Sequence, residues 1–298
     1  MASTSGPAGS APRTFGVPRP RDLAHDAVMK LGSLLALVAC VGVGSACGRS
    51  SSSGGGEAAR SRAAATDDAG VDAEPAAPAP LATVTLGATP PTATTTVVLL
   101  HGYGAGGDDL VELAAALAVP TTVRFVLPAA PVALDAAGTA RAWWTLAPRP
   151  RGAQHDRSDD VPAGLAGARA QVDALLDLLE AEGGQRIVLG GFSQGAMLAM
   201  DVALHRARPL AGLAVLSGTR VNGGAWRARF DRIRATPVLL SHGASDQVLP
   251  IAAARGLRDD LTAAGATVEW VEFPGGHTIP AVTIDRLAHL ITGVASAP

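Results

Sequence analysis

The chain has 298 residues, 48% hydrophobic and 17% charged, which suits a globular protein with one large core or two small ones. A net charge of −2 and a pI near 6.4 give no basic bias, so nucleic acid is excluded as the expected partner. The two cysteines, Cys40 and Cys47, both lie near the N-terminus, which leaves the rest of the chain without a disulfide framework or a cysteine-based metal site.

Residues 1–28 are rich in Pro, Arg, Ser and Gly and carry no hydrophobic period. From Met29 the chain reads MKLGSLLALVACVGVGSAC: a basic start, an apolar stretch from Leu31 to Val43, then small residues, the layout of an export signal. Translation starting at Met29 fits this, and so does a long basic leader holding Arg19, Arg21 and Lys30. Gly44-Ser45-Ala46 ahead of Cys47 resembles a bacterial lipoprotein signal, with Cys47 as the lipidated residue. Leu37-Val38-Ala39 ahead of Cys40 fits the usual pattern better but leaves a short apolar core. An ordinary cleaved secretion signal is the alternative; the apolar run is shorter than the ~20 residues of a spanning helix. Both readings export the protein, to the cell envelope as a lipoprotein or to the periplasm or medium. Residues 48–81 are Ser, Gly, Ala, Pro and scattered acids without an aromatic, too little apolar surface to offset ordering entropy, so a disordered tether is expected. Membrane contact is then expected through the N-terminal lipid alone, and stable anchoring needs more than one acyl chain.

From residue 82 to 298 one α/β domain is expected. Apolar runs of strand length occur at Thr96–Leu100, Val123–Leu127, Arg186–Gly190, Leu210–Leu216, Pro237–Ser241 and Val268–Phe273. Several are apolar on both faces, as buried parallel strands are. Between them fall amphipathic stretches: Asp109–Ala118, a helix after Asp160 with Pro162 in its first turn, Gln194–Arg206, Ile251–Ala264 and Thr278–Ile291. In the second of these Leu165, Ala168, Val172, Leu175, Leu176 and Leu179 form one stripe. Such alternation implies a mostly parallel sheet with helices on both faces and right-handed crossovers.

Gly191-Phe192-Ser193-Gln194-Gly195 stands between an expected strand and an expected helix. A sharp strand-to-helix turn exposes the serine and aims the helix N-terminus at it. A nucleophilic serine needs a base, and the base an orienting acid, in the chain order Ser, Asp, His. Asp246 follows the strand ending at Ser241, and His277 follows the strand ending at Phe273, which puts both on the sheet edge of Ser193. His277 would take the serine proton, with Asp246 fixing its tautomer. Two backbone N–H groups should receive the oxyanion: Gln194, after the nucleophile, and Tyr103 in Leu100-His101-Gly102-Tyr103-Gly104, with Gly104 as the near alternative. The remaining histidines read otherwise: His242 and His101 as structural braces, His155, His205 and His289 as surface residues. Asp259 and Asp260 fall within a helix and read as solvated. Asp156, Asp159 and Asp160 read as a solvated loop and a helix N-cap rather than a metal site. No metal or cofactor is expected.

These residues resemble the phospholipase/carboxylesterase family of α/β-hydrolases, which includes acyl-protein thioesterases and small bacterial carboxylesterases. The resemblance rests on LLHGYGAGGDDL at 99–110, FVLPAAP at 125–131, RAWW at 141–144, LGGFSQGAMLAM at 189–200, SHGASDQVLP at 241–250 and FPGGHTIP at 273–280, in the family's order. It implies the α/β-hydrolase fold, Ser193, Asp246 and His277 as a triad, Tyr103 and Gln194 as oxyanion donors, and cofactor-free hydrolysis of small esters or thioesters, lysophospholipids included. The chain departs from the family in its export signal and in having Trp144 and Thr145 after Trp143, where a second aromatic and an acid are common. Trp143 and Trp144 are read either as pocket wall or as packing, and the charged loop 148–160 as particular to this chain. An acyltransferase or thioesterase would use the same triad, whereas a binding module on an inactive hydrolase scaffold would need none of the three.

Overall fold

The computed structural model describes residues 78–146, 159–183 and 186–297. Met29, Cys40, Cys47, His155, Asp156 and nearly all of the expected tether lie outside the described residues. Six parallel strands build the sheet: β2 (Thr95–Leu100), β3 (Val123–Pro128), β6 (Arg186–Phe192), β7 (Gly212–Leu216), β8 (Val238–Gly243) and β9 (Val268–Phe273). A seventh, β1 (Thr83–Gly87), pairs antiparallel with β3 at one edge, giving the order β1-β3-β2-β6-β7-β8-β9. Its side chains are mostly exposed, so no buried run announces it in the sequence. A two-residue hairpin, β4 (Val132–Ala133) with β5 (Arg141–Ala142), stands apart from the sheet.

The strands read as continuous apolar runs because each feeds two cores at once. Val98 and Leu100, Leu189, Leu213 and Val215, and Leu240 point to one face. Their alternates Val97 and Leu99, Val188, Ala214 and Leu216, and Leu239 point to the other. The first face is covered by α2 (Leu165–Ala181), α3 (Gln194–His205) and α5 (Ile251–Ala263), introduced by Leu165, Val172, Leu176, Leu198, Leu257 and Leu261. The second is covered by α1 (Val111–Ala116) and α6 (Ala281–Ala295), through Leu113, Ile284, Leu287 and Ile291. Each fully buried Leu or Ile adds roughly 1.5–3 kcal/mol of burial free energy, which makes this doubly covered sheet a rigid base for the loops at its edge.

Two local expectations are corrected. The helix after Asp160 starts only at Leu165, because Gly164 stands before it at φ 94°, a left-handed conformation; Pro162 sits ahead of the helix and its carbonyl accepts the Leu165 N–H at 3.1 Å. Asp160 is therefore not its cap, and its carbonyl instead accepts the Asn222 N–H at 2.7 Å. That bond ties the segment to α4 (Gly223–Arg227), a short helix whose fully buried Trp226 donates to Asp201 at 2.7 Å.

Strand order reverses at β2, with β3 on one side and β6 on the other. The carboxyl ends of β2 and β6 thus open a crevice at a topological switch point, where open α/β sheets carry their sites.

Candidate active site

β6 runs to Phe192 and α3 begins at Gln194, so Ser193 alone makes the turn. It does so at φ 54°, ψ −116°, a conformation that costs a non-glycine residue about 1–3 kcal/mol. Three backbone bonds hold it there: its N–H donates to Leu216 at 2.9 Å, and its carbonyl accepts from Ala196 and Met197 at 3.1 and 3.2 Å. The flanking glycines are required by proximity. A Cβ on Gly191 would fall 2.4 Å from the Gly195 carbonyl, and one on Gly195 would fall 2.2 Å from the Leu100 carbonyl oxygen.

The loops after β8 and β9 are locked together. Ala244 N–H donates to the Phe273 carbonyl at 2.8 Å and Ser245 N–H to Gly275 at 2.9 Å. Gly243 lies so close beneath that a Cβ would meet the Gly276 oxygen at 2.2 Å. This lock brings His277 between Asp246 and Ser193: Nδ1 is 2.7 Å from Asp246 Oδ2 and Nε2 is 2.8 Å from Ser193 Oγ. An ionised carboxylate offers only lone pairs, so Nδ1 carries the hydrogen and Nε2 is left to accept the serine proton. Phe192 packs against the imidazole at a ring-centre distance of 4.9 Å, and the Ser217 hydroxyl donates to the carbonyl of Thr278, the residue after the histidine, at 3.1 Å.

Asp246 is nearly fully buried and has partners on both oxygens. Oδ1 accepts the N–H groups of Val248 and Leu249 at 2.8 and 2.9 Å, while Oδ2 faces His277. Burial pushes its pKa up, but the His277 hydrogen bond and charge, with the two backbone N–H groups, outweigh it and hold the carboxyl below its usual value. His242, read from sequence as a structural residue, is fully buried with Nε2 2.9 Å from the Leu249 carbonyl and 3.3 Å from Asp246 Oδ2. Burial lowers its pKa, against the opposing pull of the Leu249 carbonyl and the Asp246 charge.

On the β2 side, the Gly104 N–H donates to the Arg141 carbonyl at 2.8 Å. Of the two donors considered in that loop, Gly104 is thus committed, whereas neither Tyr103 nor Gln194 has a main-chain acceptor for its N–H among the described residues. His101 is a brace: Nε2 accepts the Ala130 N–H at 3.0 Å, Nδ1 lies 2.8 Å from the Gly102 carbonyl, and burial lowers its pKa. Trp143 and Trp144 are 1% and 2% exposed and belong to the core cluster, so of the two readings for them packing prevails over pocket wall. The Gln194 side chain, which sequence reasoning treated only through its main chain, binds both of their backbones.

Of the other acids, Asp159 pairs with Arg227 at 2.9 Å and Asp260 with Arg220. Among the described residues no group of three or more His, Cys, Asp or Glu side chains is placed to hold a metal ion. Two surface depressions, one of about 270 Å³ beside Arg206 and Thr236 and one of about 400 Å³ beside Arg186 and Pro237, lie at the amino ends of the strands. Neither joins a nucleophile to a base, so the chain Ser193–His277–Asp246 at the opposite edge is the candidate site.

The sequence profile of the phospholipase/carboxylesterase family matches residues 82–294. The chain belongs to that family. Carboxylesterase SOBER1 of Arabidopsis thaliana is 28% identical over 198 residues, covering 63% of this chain and 85% of its own. Acyl-protein thioesterase 1 of Neurospora crassa is 27% identical over 214 residues, covering 67% and 86%. Among solved structures, esterase PE8 superimposes with a TM-score of 0.62 at 30% identity, covering 72% of this chain and all of its own. The fold is that of the α/β-hydrolases, and this family member is a carboxylic ester hydrolase of the carboxylesterase/thioesterase type.

Proposed function

We propose that Ser193, His277 and Asp246 act as a catalytic triad that hydrolyses carboxylic esters through an acyl-enzyme. The observation that carries this is the single imidazole standing 2.8 Å from a strained serine hydroxyl and 2.7 Å from a buried carboxylate. Ser193 Oγ attacks the ester carbonyl carbon as its proton passes to His277 Nε2. The carbonyl oxygen takes the negative charge and accepts hydrogen bonds from the Tyr103 and Gln194 N–H groups. As the C–O bond to the alcohol breaks, His277 returns the proton to the departing oxygen, leaving the acyl group on Ser193. Water then repeats the sequence, releasing the acid and restoring the serine. Asp246 stays ionised throughout and stabilises the imidazolium.

A thioester fits the same cycle, since a thiolate leaves with less help from His277; the acyl-protein thioesterase relative supports this second reading. An acyltransferase would differ only in the acceptor of the second half-reaction. The export signal and Cys47 support work outside the cytoplasm, with the domain tethered by lipid.

Ser193→Ala tests the reading. Turnover of a short-chain nitrophenyl ester should fall by about 10⁵ or more while the melting temperature is kept. Retained turnover in a folded Ser193→Ala protein would overturn the triad.

A further inference from the structure

The two oxyanion donors come from chain segments far apart in sequence, and something must set their spacing. We propose that the Gln194 side chain is a positioning residue that holds the two donors in register by clamping the Arg141–Trp144 segment; this rests on the triad reading above.

The side chain of Gln194 is buried, and it uses both ends. Its Oε1 accepts the Trp143 N–H at 2.9 Å and its Nε2 donates to the Trp144 carbonyl at 2.8 Å. The amide thereby satisfies one donor and one acceptor of the bend at Trp143–Trp144. From the other side of the same segment, three bonds run to the loop that carries Tyr103. The Arg141 carbonyl accepts the Gly104 N–H at 2.8 Å, and the Arg141 N–H donates to Ala105 at 3.0 Å. The Trp143 indole donates from Nε1 to the His101 carbonyl at 2.9 Å. Arg141 also reaches the Ala130 carbonyl with Nε, and the Ala130 N–H is bound by His101, which closes the frame.

Gly195 of α3 packs against this loop at its start, on the Leu100 and His101 carbonyls. Beyond Gly102 the loop turns toward Arg141, so the Tyr103 N–H is placed by the Arg141–Trp144 segment and not by α3. The nucleophile's helix and the second donor thus meet on one template, and Gln194 is the bond between template and helix. Misplacement of reacting groups by about 1 Å can cost on the order of 10² in rate. Because the carbonyl oxygen gains charge only in the transition state, a loosened template should spare ground-state binding.

The test uses Gln194→Met, Trp143→Phe and the double variant of the full chain. Gln194→Met removes both clamp bonds at nearly equal volume, and Trp143→Phe removes only the Nε1 bond while keeping an aromatic ring buried. Reactive Ser193 is counted first by stoichiometric labelling with a fluorophosphonate. Then kcat and KM are measured on nitrophenyl butyrate, with the inhibition constant of an aliphatic trifluoromethyl ketone, whose adduct carries the oxyanion. Each single variant is expected to lose about tenfold or more in kcat with KM within about twofold, and to bind the ketone more weakly by the same factor. The double variant should lose less than the product of the singles, since both cut one brace. Unchanged kcat and ketone binding, or a rise in KM alone, overturns the proposal. Should Gln194→Met fail to fold, Gln194→Asn, whose amide is one methylene too short to reach both the Trp143 N–H and the Trp144 carbonyl, is measured in its place with the same expected and overturning results. Failure of the triad reading is distinct: the unaltered protein would then not label at Ser193.

Discussion

Asp109 closes the loop that carries Tyr103, one residue before Leu110 leads into α1. Its Oδ1 is buried without a hydrogen-bond partner among the described residues. Burial raises its pKa from 3.8 to about 6; the Gly107 backbone N–H pulls the other way, and the charge of Asp108 adds to the rise. A folded value above the unfolded one means that the folded state binds the proton more tightly. The stability this supplies is complete below about pH 4 and is lost as pH rises through about 6. A gap of roughly two units corresponds to about 3 kcal/mol across the full span, or about 2 kcal/mol between pH 4.5 and 8. Asp109→Asn keeps the shape and removes the titration. In urea denaturation, the stability of Asp109→Asn minus that of the unaltered protein should therefore grow by about 2 kcal/mol from pH 4.5 to pH 8. Taking the difference cancels the titrating groups that are not coupled to Asp109, including those with depressed values. A difference flat to within about 0.5 kcal/mol would refute the reasoning and show that Asp109 is solvated in the folded state.

Asp246→Asn places an amide against His277 Nδ1 and favours the tautomer with its hydrogen on Nε2, facing Ser193. We expect kcat to fall by about 10⁴ with little change in KM, and a loss under tenfold would exclude Asp246 as the orienting acid. Its sign in pH is opposite to that of Asp109. The folded value is depressed, so its stabilisation is present above the unfolded value near ~3.9 and lost as pH falls through the folded one. The destabilisation of Asp246→Asn should accordingly stay level from pH 8 to pH 4.5 and shrink only when the urea series is carried below about pH 3.9. For the N-terminal segment, intact-mass spectrometry of the membrane fraction should find acyl chains on Cys47, and Cys47→Ser should release the protein; an unmodified soluble product would end the lipoprotein proposal.

What the sequence made legible is what repeats locally or sits at a strand end. Strands buried on both faces stand out as unbroken apolar runs, and β9 begins and ends at the expected residues, Val268 and Phe273. β1 escaped because its exposed side chains carry no such run, and β4 and β5 because two residues make no pattern. Pro162 signals a helix start ahead of the true one, which is set by Gly164, whose missing side chain makes room for Trp144.

The sequence places Ser193, Asp246 and His277 at one sheet edge because each follows a readable strand in a parallel sheet, and parallel strands deliver their carboxyl ends to one edge. The order of the chain alone then brings the three loops together. The parts that set distances follow a different logic. Gln194 and Trp143 are 51 positions apart, and their bond depends on how a hairpin outside the sheet folds back over the β2 loop, which no period encodes. The glycines show the same division. Gly191 and Gly195 stand in the expected turn around Ser193, and what requires them, as it requires Gly243, is a carbonyl 2.2–2.4 Å from where a Cβ would stand. For Gly195 that carbonyl belongs to the end of β2, and for Gly243 to the loop after β9. The candidate groups are therefore supplied by local sequence, while their separation is held by contacts between segments. Substitutions at the side-chain contacts of Gln194 and Trp143 should act on the rate of the chemical step before they act on the fold, whereas a side chain at Gly195 or Gly243 must first displace the main chain.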